Sequence, residues 1–146
     1  MTTRPTRTRL ALSGVVFALI IAACNQATAS PSGSGAAPAG PKLTIAMITH
    51  ETPGDTYWDI IRAGAKAAEA HLGITLKYSS DPDFTKQATL VQNAIDSKVD
   101  GIAMTAAGPS ALEAVVKSAN TAGVPVVMFD SGIEDWQRMG AMMYFG

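Results

Sequence analysis

Side chains able to bind or react collect at a few points of the sequence. Thr49, His50, Glu51, Thr52, Asp55, Tyr57 and Trp58 fall in one short stretch, Asp81, Thr105, Asp130 and Ser131 follow short apolar runs, and Cys24 is the only cysteine. Together they offer carboxylates, hydroxyls, an imidazole and two adjacent aromatic rings. The sequence has no nucleophile spaced with a base and an orienting group, no glycine-rich phosphate loop, no G-x-S-x-G elbow and no Cys/His cluster at zinc spacing. The expectation is therefore a protein that is not an enzyme, holds no metal and needs no cofactor. Reversible hydrogen bonding to a polar small molecule remains as the chemistry these residues can do.

A ring that alternates hydroxyls with C–H groups, as a sugar does, needs flat aromatics over its apolar face and carboxylates to accept its hydroxyl protons. Tyr57 and Trp58 are candidates for the first role and Asp130 for the second, with His50, Thr105 and Ser131 as further polar contacts. Each has a plainer alternative. Aspartates before helices, such as Asp55 and Asp83, ordinarily cap them. His50 reads equally as a satisfied loop histidine. Tyr57 falls on the apolar stripe of a helix and so reads as core, whereas Trp58 lies off that stripe and beside the cleft.

From Lys42 onward, β-branched apolar runs alternate with amphipathic stretches. Strands are expected at Leu43–Ile48, Ile74–Tyr78, Gly101–Met104, Val124–Phe129 and Met142–Phe145. Between them, helices are expected over Tyr57 to Leu72, with Tyr57, Ile60, Ile61, Gly64, Ala65, Ala68 and Leu72 on the inner face, over Phe84 to Lys98 behind an Asp83 cap, and from Pro109 to about Gly123. Strands apolar on both faces and separated by helices imply a parallel sheet covered on both sides, a doubly wound α/β fold. Ligands of such folds bind outside the carboxyl ends of the strands where strand order reverses. That rule selects the loops holding His50, Asp81, Thr105 and Asp130.

The first 41 residues follow a different logic. Three arginines and no acid precede Leu10–Ala23, which is almost wholly apolar. As a helix that run spans about 21 Å, short of the roughly 30 Å hydrocarbon core, so it reads as a secretory signal rather than a membrane span. Ile21-Ala22-Ala23-Cys24 resembles the lipobox of bacterial lipoproteins, which implies cleavage before Cys24 and a diacylglycerol on its thiol. Asn25–Pro41 is built of Ala, Ser, Gly and Pro with no charge, a composition for a leash of roughly 20–25 Å root-mean-square reach. The expected division is a signal peptide over 1–23, a linker with lipidated Cys24 over 24–41, and a folded part over 42–146. Removing the signal leaves eight basic against twelve acidic side chains, a net charge of −4, which gives no reason to expect nucleic acid as a partner.

Three stretches resemble the periplasmic binding proteins of the ribose and galactose type: Asp55-Thr56-Tyr57-Trp58 with the following RAGAKAAEAHLG, then KQATLVQNAIDSKVDGIAM, then AVVKSANTAGVPVVMFDSG. The resemblance implies a flavodoxin-like N-terminal lobe of a two-lobed clamp, Tyr57 and Trp58 flanking a sugar ring, and Asp130 accepting sugar hydroxyls. It further implies capture of a sugar or polyol outside the membrane for an ABC permease, from a lipid anchor on the outer face of the cell membrane or in the periplasm. A ligand-sensing lipoprotein feeding a membrane sensor or chemoreceptor is the alternative. Ser131 stands where ribose binders commonly carry arginine, and Thr105-Ala106-Ala107 where they carry an asparagine, so the implied ligand class stays broad. Five strands amount to one lobe, so the chain is expected to be a fragment or a truncated reading frame that binds sugar weakly, if at all, by itself.

Overall fold

The computed structural model describes residues 42–146. The signal, lipidation and linker expectations for 1–41, Cys24 included, lie outside the described residues. Five strands, β1 (Thr44–Thr49), β2 (Thr75–Ser80), β3 (Gly101–Met104), β4 (Val126–Phe129) and β5 (Met143–Phe145), form one parallel sheet in the order β2-β1-β3-β4-β5. The helices are α1 (Tyr57–Leu72), α2 (Phe84–Asp96), α3 (Pro109–Thr121) and a single turn, α4 (Trp136–Met139), which the sequence pattern had not indicated. This is the expected doubly wound α/β lobe. Among the described residues no helix is long and apolar enough to cross a membrane.

Local chemistry accounts for the element ends. Gly73 closes α1 with φ at +67°, a conformation that costs glycine little. The Asp83 carboxylate accepts from the backbone N–H groups of Thr85 and Lys86, at 2.8 and 3.1 Å, and so caps α2. These two N–H donors hold the Asp83 carboxyl below its usual range. Pro109 occupies the first turn of α3, where its missing N–H goes unneeded.

The pleat divides the strand residues between two faces. Ala46, Ile48, Ile102, Met104, Val126 and Met128 point to one side, where they join Val91 and Ala94 of α2 and Leu112, Val115, Val116 and Ala119 of α3 in one closed core. Met47, Ala103 and Phe129 point to the other side, where α1 is the one helix among the described residues that meets them, through Trp58, Ile61 and Ala65. That burial corrects the expected inner face of α1. Trp58 is 3% exposed, whereas Tyr57, Ile60 and Leu72, placed on the stripe by their spacing, are 50%, 76% and 66% exposed. A helix with one partner buries a narrow arc, and the arc here is set by the largest ring. Ile60, Ile61, Ala65, Leu76, Phe129 and Phe145 instead line an open apolar groove of about 460 Å³ between α1 and the sheet.

Candidate functional site

The strand order reverses between β1 and β3, because the chain moves outward from β1 to β2 and then crosses back to the other side of β1. The crevice outside this switch point is where doubly wound sheets bind ligands. The residues leaving the two strands meet there. His50, directly after β1, donates its backbone N–H to Thr105 Oγ1 at 3.1 Å, and its ring Nδ1 lies 2.7 Å from the same hydroxyl. Thr105, directly after β3, is fully buried, while His50 is half-buried.

The loop after β4 joins them from the side. Asp130 takes a left-handed backbone, φ +64°, which turns the chain sharply at the strand's end. Asp and Asn accept that conformation better than other residues bearing a Cβ. Its Oδ1 accepts from the Tyr57 hydroxyl at 2.6 Å, joining groups 73 positions apart. The neighbouring carboxylate pushes the Tyr57 hydroxyl pKa upward. The other carboxylate oxygen of Asp130 keeps its acceptor capacity. Ser131 Oγ accepts from the Ala106 backbone N–H at 3.0 Å and so ties the β4 loop to the β3 loop. Gly132, φ +96°, passes so near Ala106 that an added Cβ would lie 2.8 Å from the alanine methyl.

Trp58 underlies this arrangement instead of lying open beside the cleft. It packs with Met47 and Phe129, and both His50 and Tyr57 meet its ring edge-to-face at 5.1 Å. Such contacts are worth about 0.5–1.5 kcal/mol beyond burial and restrict ring orientation. Tyr57 is correspondingly the exposed aromatic of the pair. Asp55 does act as a local cap, its Oδ1 accepting the Tyr57 backbone N–H at 3.0 Å. Asp81 likewise binds within its own loop, to the Asp83 N–H at 2.9 Å.

Residues besides the expected ligand contacts also shape the site. Glu51, 8% exposed, accepts from the Arg62 guanidinium and from the Tyr78 hydroxyl, and Arg62 also reaches Asp59. Its hydrogen bond to Arg62, outweighing the effect of burial, holds the Glu51 carboxyl below its usual range. Thr49 Oγ1, 2.7 Å from the Tyr78 hydroxyl, completes a chain that anchors the β1 loop to α1 and β2. Nothing in the spacing of Glu51 and Arg62 announced their pairing. Gln87, fully buried on α2, donates from Nε2 to the Thr105 carbonyl at 2.9 Å and to Thr105 Oγ1 at 3.2 Å. It did leave a sequence signal, an amide in line with Val91 and Ala94 on an otherwise apolar helix face. Among the described residues no group of three or more His, Cys, Asp or Glu side chains could hold a metal ion.

The arrangement is that of a hydrogen-bonding surface, with an exposed ring, a carboxylate and an imidazole around the switch point. Comparison with known proteins agrees in fold. A solved carbohydrate transporter from Acidothermus cellulolyticus 11B, in complex with myo-inositol, is 60% identical over 73% of this chain and 37% of its own, with a TM-score of 0.71. A sugar ABC transporter sugar-binding protein from Bacillus halodurans is 33% identical over 72% and 36%, TM-score 0.64. A glucose-galactose binding protein from Geobacillus stearothermophilus is 25% identical over 73% and 38%, TM-score 0.65. The chain thus spans somewhat over a third of the length of these relatives. The periplasmic binding protein domain model matches residues 45–142, and that family binds solutes and is not one of enzymes. With the sheet order, the switch-point crevice and this match in agreement, the chain belongs to the periplasmic binding protein family.

Proposed function

We propose that this chain is the ligand-capturing part of an exported binding lipoprotein that takes a sugar or cyclic polyol outside the membrane and delivers it to an ABC permease. The observation that carries the reading is the exposed Tyr57 ring joined to Asp130 beside the switch point. A planar ring can cover the C–H face of a polyol while the free carboxylate oxygen accepts its hydroxyls. His50 belongs to the same site as a polar contact, the buried Thr105 supports it from behind, Ser131 ties the loops together, and Trp58 acts beneath by holding the rings of Tyr57 and His50. The 60% identity to a protein solved with myo-inositol favours a cyclic polyol as the first ligand to try.

The test is a titration of the chain with myo-inositol followed by amide NMR shifts, which report weak as well as tight binding. Shifts are expected to concentrate at His50, Tyr57, Thr105, Asp130 and Ser131, and Asp130→Asn is expected to weaken binding about tenfold or more, the scale of one charge-assisted hydrogen bond. No shifts up to the solubility of inositol, or shifts at a different surface, overturn the site.

Export and anchoring rest on the apolar run Leu10–Ala23 and on Ile21-Ala22-Ala23-Cys24. The mature N-terminus is expected by mass spectrometry to be Cys24 carrying thioether-linked diacylglycerol. An unmodified thiol refutes the anchor.

A further inference from the structure

We infer that Gln87 is a positioning residue that acts through Thr105 to fix the proton of His50 on Nε2, so that the imidazole faces the ligand as a hydrogen-bond donor. The inference rests on reading the switch-point crevice as the ligand site, but its first test does not.

A threonine hydroxyl has one proton to give and two lone pairs to accept with. At Thr105 Oγ1 one lone pair is taken by the His50 backbone N–H, 3.1 Å away, a group that can only donate. Gln87 approaches the same oxygen at 3.2 Å and the Thr105 carbonyl at 2.9 Å. The carbonyl accepts only, so the Gln87 atom facing it must be the amide nitrogen. The reverse orientation would set two carbonyl oxygens against each other. Both lone pairs of Oγ1 are then committed, and its proton has one partner left, the His50 Nδ1 at 2.7 Å. Nδ1 is therefore the acceptor and the ring proton sits on Nε2.

Burial makes this arrangement binding on the groups involved. Gln87 and Thr105 are both fully buried, so water does not compete for their bonds. Edge-to-face contact with Trp58, ring planes 83° apart, holds the imidazole plane as well. Gln87 Oε1 has no hydrogen-bond partner among the described residues, so the amide does not sit in a fully paired core network. The site thereby presents complementary groups. Asp130 accepts hydroxyl protons, and His50 donates to a hydroxyl oxygen, which suits a ligand whose every hydroxyl can do both.

Long-range nitrogen–proton NMR of the two histidines, with His71→Asn to assign them, reads the tautomer directly. At pH 8 His50 is expected to show a pyridine-type Nδ1 and a pyrrole-type Nε2, and Thr105→Ser, which keeps the hydroxyl, should preserve both. Gln87→Leu frees one lone pair of Oγ1, lets the hydroxyl accept from Nδ1–H, and should move the two nitrogen shifts toward each other. Thr105→Val, which removes the hydroxyl in a similar shape, should move them as well and serves if Gln87→Leu does not fold. Protonated Nδ1 in the native protein, or unmoved shifts in these variants, overturns the inference. As a second readout, Gln87→Leu is expected to raise the myo-inositol dissociation constant about tenfold. A wild-type protein that shows the locked tautomer but no inositol shifts would defeat the proposed function and leave the tautomer standing.

Discussion

The two faces of the sheet are held by different physics. On one, α2 and α3 close over strand residues that alternate out of β1, β3 and β4, and Ile48, Met104, Leu112, Val116, Val126 and Met128 are all essentially inaccessible. On the other, α1 contributes one buried residue, Trp58, beside an open apolar groove. There the packing of Trp58, Ile61 and Ala65 is supplemented by polar ties from α1: Arg62 to Glu51, which Tyr78 also holds, and Glu69 accepting the Leu76 N–H at 2.8 Å. Apolar packing carries no charge to titrate or screen, whereas ion pairs and charged hydrogen bonds do. The lobe is thus robust on one side and condition-sensitive on the other, with the switch-point crevice at the edge the two sides share.

The largest effect that could break this contrast comes from truncation within the closed face. Leu112→Ala is expected to cost about 2–5 kcal/mol in urea unfolding, through lost burial and the cavity left behind. Ile60→Gln, on the helix surface facing the groove, should stay within about 0.5 kcal/mol of the native protein. Equal losses at both positions would show that the two faces are equally packed.

A smaller effect sharpens the contrast through pH. Glu51 has a folded-state pKa lowered mainly by Arg62, so its contribution to stability is present above the unfolded value of about 4.5 and is lost as pH falls below it through the folded value. Unfolding curves across this acid range should therefore show a shallower pH slope for Glu51→Gln than for the native protein. Asp83, and Glu113 on α3, whose carboxyl Lys117 and Arg138 hold below its usual range, leave a residual slope in both. Identical slopes would mean that the Glu51–Arg62 pair does not couple to folding.

The sequence carried the alternation of strands and helices because each element has its own period and its own stops. The expected range of α1 and of β3 matches, and Asp83, Pro109 and Gly73 sit where caps and first turns require. Strand order followed only as a class, since a βαβ pattern names the fold without choosing which loops touch. Four residues of α4 are too few to show a helical period. Burial on α1 misled for a related reason: a stripe of moderately apolar residues says where a helix is amphipathic, not which arc its partner covers. With Trp58 adjacent to Tyr57 in sequence, exchange of their roles cost the periodic pattern nothing. The position of Asp130 after a buried strand pointed to the crevice, but its bond to Tyr57 joins residues 73 apart, a pairing that local chemistry does not encode.

The turn at Asp130 also bears on how this site could change. With φ at +64° the position admits aspartate, asparagine or glycine at little strain and resists the rest of the amino acids. For anyone retuning ligand preference, that position offers a three-letter alphabet graded from a full charge through an amide to nothing. Ser131, whose backbone carries no such restriction, leaves a combinatorial library wider choice, whereas a screen that randomises Asp130 fully would spend most of its variants on chains carrying roughly 1–3 kcal/mol of backbone strain.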